Sequence, residues 1–239
     1  MMSTPRCPSP PWSPPPASHR VPEARDFINP VAWEHGLRAP FSIYPLFEGA
    51  ARARLGTSFE GAQARSGAIW ADFSSIAANN LGAWRTATMS AADILAPGPR
   101  NRLVAQPYRK LMCADMAVDQ AAAVVLTTVA EARHLGIPEE RFVYPLGSAG
   151  ARDTSDFLER SSYARSPAME ASLDDALTCA RVSIDAVDLV ELYSCFPCVP
   201  KMASDHLGLD RNRSLSVTGG PRAKIGVSSP ERLSAAARV

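Results

Sequence analysis

The most chemically suggestive residues in this chain are Cys195-Phe-Pro-Cys198, two thiols two residues apart. The flanking pattern predicts a strand from Leu189 to Tyr193 and a helix from Cys198 to Leu207, closed by Gly208. A thiol at a helix N-terminus meets the positive end of the dipole and free backbone N–H groups. Both favour the thiolate, and the spacing allows a disulfide. A dithiol redox site at Cys195 and Cys198 is therefore one chemistry open to the chain. No metal site is expected, because no second Cys or His pair stands at ligand spacing. His134 and His206 each fall late in a helical segment, where an imidazole serves the dipole. His19 lies in a proline-rich stretch and His35 near Trp33. Asp174-Asp175 belongs on the solvated side of its helix, and Gly147-Ser-Ala-Gly150 is too loose for a phosphate cradle.

The elements that would position these groups divide the chain in four. Residues 1–25 hold eight of the 21 prolines and are expected to be a disordered, proline-rich tail without a core. Residues 26–99 form a helical region with irregular joints. Thr57-Ser-Phe-Glu60 and Ser90-Ala-Ala-Asp93 are capping-box signals, the second stapled by Met89 and Ile94. Ile69, Trp70, Phe73, Ile76 and Ala77 share one helical face and are read as core. Residues 100–220 alternate strand and helix, which predicts an α/β fold. Strands are expected at Ala121–Leu126, Arg141–Leu146, Leu189–Tyr193 and Leu215–Thr218. Helices are expected after Thr128, with Glu131 in its first turn, and after Ser166-Pro167. Residues 221–239 carry no strand pattern and form a tail.

Composition sets bounds on function. Twenty-five basic against 24 acidic side chains leave a net charge of +1, which is not the footprint of a nucleic-acid binder. No apolar run reaches the length of a bilayer span. Five cysteines at irregular spacing, without an export signal, indicate a reducing, cytoplasmic setting rather than a disulfide framework. Lysine is nearly absent, with only Lys110, Lys201 and Lys224.

Read in order, several segments together resemble the thiolase family. Met116-Ala-Val-Asp-Gln-Ala-Ala-Ala-Val-Val-Leu126, followed by an Ala-rich helix ending in Leu135-Gly136, is similar to the family's run of Asn-Asp-Gly-Ala-Ala-Ala type. Ser166-Pro-Ala-Met and Asp185-Ala-Val-Asp-Leu-Val-Glu-Leu192 resemble the helix and strand that follow. Tyr193-Ser194-Cys195-Phe196 stands at the place of the family's Asn-Glu-Ala-Phe or His-Asp-Cys-Phe motif. Ser216-Val-Thr-Gly219-Gly220 is similar to the Val-Asn-Gly-Gly that leads into the loop of the catalytic histidine. Ile43-Tyr-Pro-Leu-Phe47 and Pro107-Tyr-Arg-Lys-Leu-Met112 look closest to the sterol-carrier-type, acetyl-CoA acetyltransferase branch.

The resemblance implies a layered α-β-α-β-α fold, of which this chain would hold mainly the C-terminal half behind a helical region. It implies acyl transfer to and from coenzyme A in lipid metabolism, with acyl-CoA as substrate and no resident cofactor. It also implies a homo-oligomer or a thiolase-like partner subunit. In the family a nucleophilic cysteine takes the acyl group, a histidine lowers its pKa, and a second cysteine shuttles a proton. This chain departs from that pattern. Residues before Asp26 do not resemble the nucleophile segment, Pro-Arg-Ala-Lys-Ile-Gly-Val follows Gly220, and Tyr193 replaces the Asn or His that orders an oxyanion-hole water. Cys195 matches a packing position. The expectation is a truncated, inactive acyl-CoA C-acyltransferase, or alternatively a non-catalytic partner subunit.

Overall fold

A computed structural model of the chain describes residues 28–115 and 123–220. The proline-rich stretch 1–25, the tail 221–239 and the first part of the Ala121–Leu126 run fall outside the described residues. The described part is mixed helix and sheet. Its helices are α1 (Pro30–Glu34), α2 (Pro40–Arg54), α3 (Phe59–Ala78), α4 (Ala91–Leu95), α5 (Val129–His134), α6 (Pro167–Ala180) and α7 (Cys198–His206). One antiparallel pair, β1 (Leu103–Ala105) and β2 (Tyr108–Arg109), aligns Leu103 with Arg109 and Ala105 with Tyr108.

Helix starts follow the capping signals closely. The Ser90 hydroxyl accepts from Asp93 N at 3.1 Å and the Asp93 carboxylate accepts from Ser90 N at 3.0 Å, a reciprocal box that opens α4. Thr128 and Ser166 accept from Glu131 N and Met169 N and open α5 and α6. The cap of α3 is Ser58, which accepts from Gly61 N at 3.0 Å, rather than Thr57. Ser58 directly precedes the first helical residue and so is the one within reach of the orphan N–H groups. Gly208, at φ +64°, follows the end of α7.

The core forms where the α3 stripe meets α4, β2 and α7. Trp70, Phe73, Ile94, Tyr108, Met112, Phe196, Cys198 and Leu215 are one buried cluster. Trp70 and Phe73 stack with centroids 5.3 Å apart, and Tyr44 stacks on Phe196 at 4.6 Å. Ile69 and Ile76 flank the stripe half-buried.

The expected strands are the principal correction. None of the runs 123–126, 141–146, 189–193 and 215–218 forms a strand among the described residues. Arg141 instead ends a 3-10 turn that begins at Glu139. The third and fourth runs share a single ladder-like bond, Leu192 N to Leu215 O at 2.8 Å. The reason is physical: an apolar run becomes a two-face-buried strand only when neighbours satisfy its backbone on both edges. Strand composition is present here without those neighbours, and Val124, Val125 and Leu126 are left exposed.

Gly219 and Gly220 press against α3. A Cβ on Gly219, at φ +95°, would fall 2.7 Å from the Ala77 backbone, and one on Gly220 would fall 2.7 Å from the Phe73 ring. Gly36 has a similar φ of +81° with open space around it. Gly36→Ala should therefore cost only the left-handed backbone penalty, about 1–2 kcal/mol. Gly219→Ala should cost more, about 3 kcal/mol, because backbone must also move. Urea unfolding followed by tryptophan fluorescence checks this, and equal losses would contradict the close packing of Gly219 on α3.

Candidate functional site

The Tyr193–Phe196 motif is built from alternately exposed and buried residues. Ser194 and Phe196 are buried, and the Ser194 hydroxyl accepts from Phe196 N at 3.2 Å. Tyr193 and Cys195 are exposed, with the phenol oxygen 3.8 Å from Cys195 Sγ. Burial raises the Tyr193 phenol above its ordinary value, and Cys195 adds to the rise. The Cys195 carbonyl accepts from Ala114 N at 3.0 Å, which ties the motif to the segment after β2.

Cys198 starts α7 at the position where dipole and free N–H groups would favour a thiolate. Its side chain is fully buried, and burial pushes the thiol up to about 12, against the lowering influence of Tyr108 and Lys201. Desolvation therefore outweighs the helix dipole here. Burial likewise pushes Cys113 up to about 11. Its Sγ sits 3.4 Å from the Arg109 carbonyl oxygen.

Beside Cys198 lies a buried ionic cluster that sequence reasoning missed. Lys201 on α7 donates to Glu48 on α2, and to Ser66 Oγ on α3 at 2.9 Å. Tyr108 on β2 donates to the other Glu48 oxygen at 2.9 Å. Burial raises the Tyr108 phenol, and the neighbouring Cys198 and Glu48 add to that, so it stays a donor. One turn along, Arg65 of α3 grips Asp205 of α7 through two contacts of 2.8 and 2.7 Å. The available signal was Lys201 itself. It is a rare lysine in an arginine-rich chain, placed one helical turn from Cys198 on the buried side of α7.

The Gly219-Gly220 lead-in is held by a second unpredicted residue. The Glu191 carboxylate accepts from Val217 N at 2.8 Å, Thr218 N at 3.0 Å, Thr218 Oγ1 at 3.0 Å and Ser216 Oγ at 3.0 Å. Asn80 donates to the Thr218 carbonyl at 3.0 Å and Ser214 to Asp72 at 2.7 Å. With the Leu192–Leu215 bond, these contacts bring the segment before Tyr193 and the loop that ends in Gly219-Gly220 together.

The three described histidines do not join this site. His206 Nε2 lies 2.8 Å from Asp174 Oδ1 and links α7 to α6, while His35 caps α1 and His134 ends α5. Among the described residues no group of three His, Cys, Asp or Glu side chains could hold a metal ion. Among the described residues no helix is long and apolar enough to cross a membrane. A cleft of about 210 Å³ between α3 and the loop after α7 is lined by Arg65, Asp72, Asp210, Arg211 and Arg213. That volume is below the roughly 300 Å³ at which small-molecule pockets begin.

Comparison with known proteins agrees with this geometry at the level of class. No protein-family model and no curated protein matches the chain. Among solved structures, it is similar to a monomeric SCP2-thiolase-like protein type 1 from Mycobacterium smegmatis, with 31% identity and a TM-score of 0.72. That match covers 83% of this chain and 44% of the other. The Ltp2–ChsH2(DUF35) aldolase shares the fold at 18% identity and a TM-score of 0.60, over 74% of this chain and 45% of its own. The described architecture is thus a thiolase-like one. The chain belongs to the thiolase-like family, and it spans less than half the length of these two solved structures.

Two measurements check the site. Lys201→Ala leaves Glu48 buried without its cation and should cost about 3–5 kcal/mol, whereas the double change Glu48→Leu with Lys201→Met should recover most of that loss. A double-mutant cycle by urea unfolding reads the coupling, and additive losses would contradict the pair. The thiol of Cys198 rests at about 12 in the folded chain against 9.0 for an ordinary thiol. The unfolded chain releases this proton first as pH rises, so the stabilisation is complete below pH 9 and is lost towards pH 12. Stability should fall between roughly pH 8 and pH 10.5, about 2 kcal/mol of it through Cys198, and Cys198→Ala should remove that share while Cys113 and Tyr108, also raised by burial, keep theirs.

Proposed function

We propose that this chain serves acyl-CoA chemistry as a thiolase-family component of the acetyl-CoA acetyltransferase type, and that it does not itself carry an acyl group. The observation that carries the reading is the state of the thiols in and beside the Tyr193–Phe196 motif. Cys198 and Cys113 are held protonated by burial, at about 12 and about 11. A nucleophile for thioester exchange needs the thiolate, and its attack needs access. Cys195 is accessible, against the packing role that the resemblance implies for its position, and it faces Tyr193 rather than a base. Tyr193, Ser194 and Phe196 act as framework under this reading, and Gly219-Gly220 as the pinned entrance to a loop that would meet the thioester. The same buried thiol speaks against dithiol redox chemistry at Cys195 and Cys198, since a disulfide exchange begins from an exposed thiolate.

A partner-subunit role is the second reading, and the exposure of Val124, Val125 and Leu126 favours it. The acyl-CoA substrate would then be bound jointly with the companion chain, in the cytoplasm.

Purified chain supplied with acetoacetyl-CoA and coenzyme A should show no thiolysis above the uncatalysed rate. In the same preparation, iodoacetamide should label Cys195 and leave Cys198 unmodified until the chain is unfolded. Thiolysis that saturates with substrate, or native labelling of Cys198, would count against the reading.

A further inference from the structure

Two cysteines far apart in the sequence end on neighbouring stretches of backbone. Ala114 N donates to the Cys195 carbonyl at 3.0 Å. Cys113 Cα and Cys195 Cα each stand two covalent bonds from an atom of that hydrogen bond, so they are no more than about 8 Å apart. Bridged cysteines hold these atoms at about 4.4–6.8 Å, so a backbone shift of about 1 Å at most brings them into range. The side chains also sense one another, since a thiolate at Cys195 raises the Cys113 thiol. Neither sulfur has a strong partner. Cys195 Sγ lies 3.8 Å from the Tyr193 phenol oxygen and Cys113 Sγ 3.4 Å from the Arg109 carbonyl, weak contacts that a χ1 rotation releases. Cys195 is exposed and Cys113 half-buried, whereas Cys198 is buried beyond the reach of a small reagent.

We propose that Cys113 and Cys195 form a reversible redox site, which closes to a disulfide when a low-molecular-weight disulfide such as oxidised glutathione meets the exposed thiol. Exposure sets the order of events. The Cys195 thiolate attacks one sulfur of the oxidant, an S–S bond forms to that half, and the other half leaves as a thiolate. Cys113 then gives its proton to solvent and attacks Cys195 Sγ, so the new bond passes to Cys113 and the second half leaves as a thiolate. The two departing thiolates take up the two protons. Two cysteine thiols are thereby oxidised to one cystine, and one small disulfide is reduced to two thiols. The second step is the slower one, because burial pushes Cys113 up to about 11 in spite of Arg102 and Lys110, the cations that face it. The cystine ties the segment after β2 covalently to the Tyr193–Phe196 motif, beside the hydrogen bond already there, and removes the motif's accessible thiol. Excess free thiol reverses both effects. This bond forms whether or not the chain takes part in acyl-CoA chemistry.

The test uses the full chain carrying Cys7→Ser and Cys179→Ser, so that Cys113, Cys195 and Cys198 are the thiols that remain. After incubation with oxidised glutathione, the intact mass should show the loss of two hydrogens with no glutathione retained. Non-reducing peptide mapping should join the peptide of Cys113 to that of Cys195. Iodoacetamide labelling of Cys195 should fall by about tenfold or more and return when a reductant is added. In the further variant Cys113→Ser, the same treatment should stop at a lasting glutathione adduct on Cys195. The mapping with Cys113 intact decides the matter even where Cys113→Ser fails to fold. A cystine between Cys195 and Cys198 overturns the proposal, as does one that joins two copies of the chain. A glutathione adduct that persists on Cys195 while Cys113 stays free, or a chain left unmodified, overturns it equally. None of these outcomes bears on thiolysis, so a failed redox site and a failed acyl-CoA reading are told apart.

Discussion

The buried pair between Lys201 and Glu48 is the interaction on which the described structure turns. Charges placed where water cannot reach them demand partners, and each partner fixes an element. Glu48 orients α2, Ser66 orients α3, Tyr108 orients β2 and Lys201 orients α7. The Arg65–Asp205 contact one turn away prevents α7 from rolling on α3. An ion pair of this kind adds little net stability compared with an apolar pair, but it penalises every arrangement in which one member is left alone. Because α7 begins at Cys198, directly after Tyr193–Phe196, setting α7 also sets the motif.

The same placement decides the chemistry of the thiols. A helix N-terminus favours a thiolate by a modest electrostatic term, whereas full burial among Tyr108, Phe196 and Met112 penalises the charged form more strongly. Cys198 therefore behaves as a small core residue with a donor, and its spacing from Cys195 carries no redox meaning by itself. Glu191 plays a parallel part on the other side of the motif. Its carboxylate gathers the backbone of residues 217 and 218 and sets the approach of Gly219 and Gly220 to α3. The local geometry thus ties the two motif segments together, with Cys195 exposed and Cys198 buried.

Local features were legible in the sequence because they are encoded locally. Ser90, Thr128 and Ser166 cap their helices through side chains three residues from their targets, and the Trp70–Phe73–Ala77 face follows helical period. The strands were not legible in the same way. Ala121 to Leu126 and Arg141 to Leu146 have the right residues, but a strand is a relation between segments, and composition says nothing of whether the neighbour is there. The buried cluster was hidden for a related reason: Glu48, Ser66, Tyr108 and Lys201 are separated by up to 153 positions and meet only in the folded chain. Family resemblance supplied what periodicity could not, since the order of the motifs from Pro107 to Gly220 pointed to the thiolase-like class before any contact was known.

The central claim is that this thiolase-like chain holds its motif thiols as framework and forms no acyl-enzyme. Intact-mass spectrometry of the native chain after incubation with acetyl-CoA tests it most directly. The account predicts an unchanged mass, with Cys113, Cys195 and Cys198 all recovered unacylated. An acetyl adduct that maps to any of these three and is released by free coenzyme A would contradict it.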